Sequence, residues 1–376
     1  MNTKTMKGLL LIVLMATAGL AGCIGDEEDK DETTVSMDAS DGGYTYASDV
    51  DNHRSLMKDL CDIKTAASAF DWATAKDIYQ NGKNAQKSDD SYRTLAGFAA
   101  ADGKKHGYDA YYNMSGSVDS HIMAAMDGTG DFAGASDTVR YQGIAKLTVN
   151  MGMVAYTIHE LNSAISKADA GNVDNDSGAP HNWDEGWAFF HGPDEDYGCS
   201  PAKVMEKRAG DFGTTNADGV ANTFVATEAA MVAGLAALQA SDSAGYTAAA
   251  DTVVKNLVIT YSQAVLKYTS KMDSNESGEK YQAEGYAFWK AIEAYTASHT
   301  NACIHTDGNV TYIGDQSESS CGENETFSAH YGANKINEIL NLQDSTQLGT
   351  SHDVSEHLEK VWEHYSITSE DIGTLA

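Results

Sequence analysis

The apolar residues between positions 144 and 165 repeat at the spacing of an α-helix, and this pattern constrains the fold more than any other feature of the chain. Steps of three and four residues alternate between its members, which are Ile144, Leu147, Met151, Val154, Ile158, Leu161 and Ile165. Such a stripe lies on one face of an amphipathic helix. Similar patterns occur at 221–240, 251–272 and 353–365, and the chain of 376 residues contains only three prolines. The sequence therefore predicts an all-α fold.

A short motif occurs twice. The segment "WDEGWAFF" at 183–190 matches "QAEGYAFW" at 282–289, so that Glu185 aligns with Glu284. Each copy follows a long amphipathic pattern. We therefore expect a helical bundle built from two duplicated units, at about 136–210 and 242–299, related by a pseudo-twofold axis that brings the two glutamates close together. The alternative is coincidence, because alanine and aromatic residues are common in any buried helix.

The first motif copy carries the side chains of a metal site. His181 and Glu185 are four residues apart and share a helix face, and Asp184 lies within one turn of them. Carboxylate and phenolate oxygens suit a hard ion such as Fe(III). The candidate ligands, in decreasing order of expectation, are Asp184, Glu185, His181 and Glu284, followed by His159, Glu160, Tyr281 and Tyr286. The alternative for each acid is a structural role, since a buried carboxylate needs a partner.

Arg140 and Arg208 are the candidates for binding an anion, because a guanidinium matches a carbonate or carboxylate in a bidentate way. The alternative is a salt bridge to a surface acid.

Near the C-terminus, Asp353, His357 and His364 fall on one face of a predicted helix. That face either carries a pair of metal ligands or, as we expect, is a solvated acidic surface.

The N-terminus has the features of a lipoprotein signal. Two lysines precede an apolar run that is too short to span a bilayer, and it ends in "LAGC". We expect a signal peptide at 1–22, acylation of Cys23, an acidic disordered tether at 23–43 and a folded domain at 44–376. A lipid on Cys23 would hold the domain at the outer face of the cytoplasmic membrane.

Charge, cysteines and missing motifs limit the function further. The net charge of −30 argues against nucleic-acid binding. The four cysteines other than Cys23 allow three pairings, of which we favour Cys303 with Cys321 and Cys61 with Cys199. The sequence lacks the common nucleophile, zincin and phosphate-loop motifs, so we do not expect an enzyme. A carbohydrate-acting surface protein that uses a carboxylate pair remains an alternative.

Several ordered segments resemble a known family. They are "WATAKDIYQNGKNAQKSDDSYRTLAGFA", "MDGTGDFAGASDTVRYQGIAK", "YTIHELNSAISKA", "HNWDEGWAFF" and "EKRAGDFGT". Together they resemble the Fea1 domain of algal low-iron-inducible periplasmic proteins and phytotransferrins, over most of residues 50 to 300. The resemblance implies extracytoplasmic capture of ferric iron with a carbonate-type anion, and an iron permease as partner. Imelysin-like metal-binding lipoproteins are the alternative, but their G-x-H-x-x-E order is missing, because His159 lies directly beside Glu160.

Overall fold

The computed structural model describes residues 40–101 and 107–376. The structure is 63% helical and 7% strand, which confirms the predicted all-α class. The helices of the first half are α1 (Asp51–Arg54), α2 (Leu56–Ser68), α3 (Trp72–Asn81), α4 (Leu95–Ala99), α5 (Gly107–Tyr112), α6 (Ser117–Asp127), α7 (Asp137–Lys146), α8 (Met153–Asp169) and α9 (Ala179–Phe190). Those of the second half are α10 (Pro201–Phe212), α11 (Asn222–Gln239), α12 (Ser243–Ser270), α13 (Gly278–Lys290), α14 (Glu293–Thr296), α15 (Tyr331–Ile339), α16 (Ser355–His364) and α17 (Ser369–Ile372).

The long helix predicted over 144–168 is interrupted. Helix α7 ends at Lys146, and a π-helical segment, Leu147–Gly152, joins it to α8. The buried side chain of Asn150 explains the interruption: its amide donates to the carbonyl of Lys146 at 2.7 Å and its oxygen accepts from Tyr261 of α12 at 3.0 Å. A side chain that competes for the backbone carbonyl of the preceding turn favours such a wider turn.

Helix α12 is the centre of the bundle. It has 28 residues, which corresponds to a length of about 42 Å. Helices α8, α10, α11 and α13 all pack against it. Its middle is buried on every side, from Asn256 to Val265, as expected for a helix surrounded by others rather than lying at a surface.

The two motif helices pack against different neighbours. Helix α9 packs on α8, whereas α13 packs on α12 and α7. A Cβ at Gly186 would lie 3.3 Å from Leu161, and a Cβ at Gly285 would lie 2.7 Å from Leu340. Both glycines therefore serve close packing. The duplication itself stays a prediction.

The predicted boundary of the folded domain at residue 44 is too late. Ser40–Asp41 forms β1 and pairs antiparallel with β2, Tyr44–Thr45. Asp41 is buried and accepts from Tyr46 at 2.7 Å and from Arg54 at 2.6 Å. Residues 40–43, assigned to the tether by their acidic composition, are thus part of the fold because their charge is paired. The rest of the predicted tether, the signal peptide at 1–22 and Cys23 lie outside the described residues.

Both favoured disulfides are present in the structure. Cys61 on α2 is bonded to Cys199, which ends a 3-10 helix before α10, and Cys303 on β3 is bonded to Cys321. The second bridge lies at a three-stranded antiparallel sheet formed by β3 (Asn301–His305), β4 (Val310–Gly314) and β5 (Glu325–Ser328), in the order β4-β3-β5. The first bond therefore ties α2 to the segment before α10, and the second closes the segment that contains β4.

Candidate metal centre

The first motif helix begins at a loop that fixes its orientation. Helix α9 follows the extended residue Gly178 and has Pro180 in its first turn, where the missing N–H costs nothing. His181 lies in the same first turn, and Glu185 follows one turn later on the same face. This spacing places the imidazole and the carboxylate in contact, as the sequence predicts.

One oxygen of Glu185 meets two histidines. Its Oε1 lies 3.2 Å from Nε2 of His181 and 3.2 Å from Nε2 of His53. His53 belongs to the short helix α1, which packs against α9. The three side chains are largely buried, and only that of His181 reaches 24% exposure. Three donor atoms from two distant segments thus converge on one point.

A hydrogen-bond chain fixes the tautomer of His181. The hydroxyl of Ser48 donates to Oδ2 of Asp184 at 2.7 Å and lies 2.9 Å from Nδ1 of His181. Because the hydroxyl proton is used on Asp184, Nδ1 of His181 must donate to Ser48. The Nε2 of a neutral His181 then carries a lone pair that faces Glu185. A lone pair opposite a carboxylate oxygen needs a proton or a cation between them.

Asp184 anchors the N-terminal segment. Its Oδ1 accepts from the Tyr44 hydroxyl at 2.6 Å, and its Oδ2 accepts from the backbone N–H of Ala47 and of Ser48 at 2.9 and 2.8 Å. Burial raises the pKa of Asp184 to about 6, and these donors act in the opposite direction. The structure therefore gives the first-ranked candidate Asp184 a supporting role: it orients His181 through Ser48 rather than contacting the point where the imidazoles meet.

A second carboxylate adjoins the first. The Asn182 amide donates to Oε2 of Glu160 at 2.6 Å and to Oε2 of Glu185 at 3.3 Å. The carboxyl groups of Glu160 and Glu185 also lie within hydrogen-bonding reach of each other. His159 is next along α8, with Nε2 3.9 Å from Oε1 of Glu160. The candidates Glu160 and His159 thus lie beside Glu185 in the cluster.

An aromatic wall shields the cluster from water. The ring of His53 contacts those of Phe98 and Phe189, with centroids 6.1 and 5.6 Å away. Tyr156 packs edge-on to both phenylalanines, and its hydroxyl donates to the carbonyl of Phe98 at 2.6 Å. This phenol is therefore engaged with the backbone. The wall lowers the local dielectric constant and strengthens every charge interaction within the cluster.

The charges of the cluster depend on one another. Burial disfavours ionisation of Glu185, but the histidines His53 and His181 reverse this and hold the pKa of its carboxyl below the usual range. Burial also lowers the pKa of His181, while Glu185 and then Asp184 raise it, with a net increase. The arrangement thus stabilises an anionic carboxylate next to positive charge, which either imidazolium or a bound cation supplies.

The second motif copy has the opposite environment. Oε1 of Glu284 lies 3.8 Å from Nζ of Lys146, and Arg208, Lys267 and Lys280 also act on it. Burial raises the pKa of Glu284 and lowers that of Lys146 to about 8. The contacts of the described residues do not bring Glu185 and Glu284 together: imidazoles and an acid surround Glu185, and cations surround Glu284.

The predicted phenolate ligands lie beside the second copy. The hydroxyl of Tyr286 donates to Asp131 at 2.6 Å, and burial raises its pKa well above 10. The ring of Tyr281 packs near Tyr268, with centroids 6.1 Å apart. Neither contacts the imidazole cluster in the contacts described for residues 40–101 and 107–376. They pack α13 into the bundle.

The two arginines are also engaged elsewhere. Arg140 donates to the carbonyls of Ala125 and Met126 and stacks 4.7 Å above the ring of Trp72. Arg208 donates to the hydroxyl of Tyr268 at 3.0 Å and pairs with Asp211 at 2.9 Å. The first guanidinium caps a helix end. The second belongs to the basic environment of Glu284.

Of the candidate ligands, His181, Glu185 and Glu160 lie together in this cluster, and sequence reasoning did not single out His53. His53 lies on a helix of four residues with no periodic pattern. The one signal was a histidine shortly after Asp49 and Asp51, and this is too weak to separate it from a surface residue. The hydroxyl of Ser48 gave no signal.

A family model described as low iron-inducible periplasmic protein, Fea1, matches residues 12–311. The chain belongs to the Fea1 family. Membership confirms the resemblance of the sequence motifs and associates the protein with periplasmic iron assimilation. The Fea1 match includes the imidazole cluster and both motif copies. Searches of curated proteins and of solved structures gave no match. No helix in the described part of this Fea1 protein is long and apolar enough to cross a membrane.

Proposed function

We propose that the protein captures ferric iron at the cluster of His53, His181, Glu185 and Glu160 for iron assimilation. The observation that carries the proposal is the pair of 3.2 Å distances from one oxygen of Glu185 to two imidazole nitrogens. Donor atoms bound to the same ion at about 2.1 Å lie roughly 3.0 to 3.4 Å apart. Both oxygen–nitrogen distances therefore match those between ligands of one metal ion.

The donor set suits iron. Two carboxylates supply the oxygens that a hard trivalent ion prefers, and imidazole is a common iron ligand. Glu160 and Glu185 together offset most of the charge of the ion. The family supports iron as the substrate. The order of events is binding, in which the ion replaces the proton between His181 and Glu185, followed by release when the imidazoles are protonated again.

The proposal includes a carbonate-type anion as an additional ligand. Arg140 and Arg208 are bonded to other groups, so the anion would complete the coordination sphere directly on the ion, at the side of His181 that is 24% exposed. In this arrangement neither Arg140 nor Arg208 contacts the anion. Removal of bicarbonate is then expected to weaken binding without a change at either arginine.

Location and partners follow from the N-terminal sequence. We propose that a lipid on Cys23 holds the protein at the outer face of the cytoplasmic membrane and that iron passes to a permease there. A Cys23→Ser variant is expected to leave the membrane fraction for the soluble one. Retention of that variant in the membrane would contradict the anchor but not the iron site.

The proposal excludes turnover of a glycan. A retaining glycosidase holds its two carboxyl groups about 5 to 5.5 Å apart, with room for the sugar between them. Glu160 and Glu185 are within hydrogen-bonding reach of each other and share the amide of Asn182. They resemble a ligand pair rather than an acid and a nucleophile.

The test is a titration of the metal-free protein with ferric nitrilotriacetate, with and without bicarbonate, followed by equilibrium dialysis. We expect one ion per chain in wild type and at least a tenfold loss of affinity in Glu185→Gln. The matched control is Glu284→Gln, which makes the same change at the same motif position and is expected to bind normally. Because the Tyr156 hydroxyl beside the cluster donates to the carbonyl of Phe98, we expect no phenolate charge-transfer band. Equal binding by both glutamine variants would refute the site.

A further inference from the structure

A second group of potential ligands lies at the C-terminal end of the fold, far along the chain from the iron cluster. It consists of His299, which ends a 3-10 helix (Ala297–His299), Asp315, which follows β4, and His364, the last residue of α16. Their ligand atoms all lie within 4.8 Å of one another. Asp315 and His364 are outside the residues that the family model matches.

The buried histidine is the decisive member. His299 is only 2% exposed, and among the described residues neither of its ring nitrogens has a hydrogen-bond partner. A neutral imidazole has one donor and one lone pair, and both are normally satisfied when the ring is buried. A fold that buries this ring without partners requires an explanation, and a metal ion on the lone pair supplies one.

The other two members are placed to complete a site. The ring of His364 stacks on that of His299, with centroids 3.6 Å apart and planes at 18°. Oδ2 of Asp315 lies 3.8 Å from Nδ1 of His364. Asp315 is within the segment closed by the Cys303–Cys321 disulfide, which limits its movement.

We propose that His299, His364 and Asp315 bind a divalent first-row transition-metal ion of the Zn²⁺ type. Two imidazole nitrogens and one carboxylate oxygen form a borderline donor set that favours such ions over Fe(III). Ligand atoms around one ion are about 3 to 3.5 Å apart, so binding draws the carboxylate inward by roughly 1 Å and tilts the stacked rings. The side chain of Asp315 is 66% exposed and can move in this way.

The two metal sites differ in chemistry. The iron cluster has two carboxylates and is enclosed by aromatic rings, whereas the C-terminal group has a single carboxylate open to water. We name it the C-terminal metal site. It does not depend on the proposed iron function, because it lies on other residues and takes another class of ion.

The test uses the full chain, freed of metal by a chelator, in a Glu185→Gln background that disables the iron cluster. Competition with a chromophoric chelator measures Zn²⁺ affinity, and Co²⁺ gives visible d–d bands that report on the ligand geometry. We expect one Zn²⁺ per chain in the background protein, about 100-fold weaker binding with His364→Ala and about tenfold weaker binding with Asp315→Asn.

The control is His352→Ala, which removes an imidazole from the same part of the chain but outside the group. His352 contacts the carbonyl of Gln347, and its loss is expected to leave Zn²⁺ affinity within about twofold. If His364→Ala fails to fold, Asp315→Asn decides the matter, because its side chain is mostly exposed. Absence of Zn²⁺ binding in the Glu185→Gln protein, or equal affinities for the His352 and His364 variants, would show that the stacked histidines are a packing feature only.

Discussion

Replacing Glu185 by glutamine changes the charge of the cluster but not its shape, and the metal-free protein then reports whether the imidazoles and the carboxylate are coupled. In wild type, one oxygen of Glu185 faces the Nε2 atoms of His53 and His181. Glutamine keeps a neutral oxygen at the same place. The difference between the two proteins therefore measures the charge interaction alone.

The expected loss depends on pH. The pKa of His181 is raised above its ordinary 6.5 in the folded protein, with Lys167 opposing the increase, so this contribution is complete below pH 6.5 and is lost as the pH rises through the raised value. The pKa of Glu185 is lowered from 4.5, so its contribution is complete above pH 4.5 and is lost as the pH falls through the lowered value. The stabilisation that His181 and Glu185 contribute together is therefore greatest between about pH 5 and pH 6.5.

Hydrogen bonds to charged groups contribute about 1.5 to 3 kcal/mol each, and a neutral one about 1 kcal/mol. Glutamine retains one neutral bond and loses the charged ones. We therefore expect Glu185→Gln to lower the free energy of unfolding by about 2 kcal/mol at pH 5.5. As the pH rises through the raised pKa of His181, its imidazole loses the charge that faces the buried carboxylate of Glu185, so the difference shrinks toward zero.

The assay is urea unfolding followed by circular dichroism, with a chelator present, for wild type, Glu185→Gln and the control Glu284→Gln at several values between pH 5 and pH 9. A difference between wild type and Glu185→Gln that stays constant over this range would refute the coupling. Equal pH dependence in both glutamine variants would do so as well.

Other predictions address the supports of the cluster and the bundle. Ser48→Ala removes the hydroxyl between Asp184 and His181 and is expected to weaken iron binding about tenfold with a small effect on stability, which dialysis and thermal melting separate. Gly234→Ala would place a Cβ 2.1 Å from the ring of Trp183, and we expect a loss of about 2 kcal/mol in urea unfolding; unchanged stability would mean that α9 and α11 can separate without cost. Serine at both cysteines of the bridge between α2 and the 3-10 helix before α10 is expected to cost about 4 kcal/mol, because the bond closes a long loop of the unfolded chain.

Local sequence was sufficient for most helices and for the contact between His181 and Glu185. The i,i+4 spacing places His181 and Glu185 together in any helix, whatever the rest of the fold. Glu160 was also among the candidates, although nothing in its own helix indicated which partner it would meet. Only the contact between His181 and Glu185 depends on neighbours within a few positions.

The rest of the candidate site and of the fold depends on contacts between segments that are far apart in the sequence. His53 reaches Glu185 from a helix 132 positions earlier, and the hairpin of β1 and β2 is fixed by Asp184 from a similar distance. Acidic composition at 40–43 indicated a solvated tether, because composition does not show that Asp41 pairs with Arg54. A single chain carries no periodic signal for such pairings.

The two motif glutamates show how little of the site is encoded in the motif. Glu185 and Glu284 follow the same local pattern and precede a tightly packed glycine in each helix. Around Glu185 the other helices supply His53 and the second carboxylate of Glu160, beside His181 of the same helix, so the point has excess negative charge and attracts a cation. Around Glu284 they supply Lys146, Arg208 and Lys267, so the carboxylate is already neutralised and a cation is repelled. The repeated segment therefore accounts for packing, and the residues that face it from other helices determine which copy can bind a metal ion.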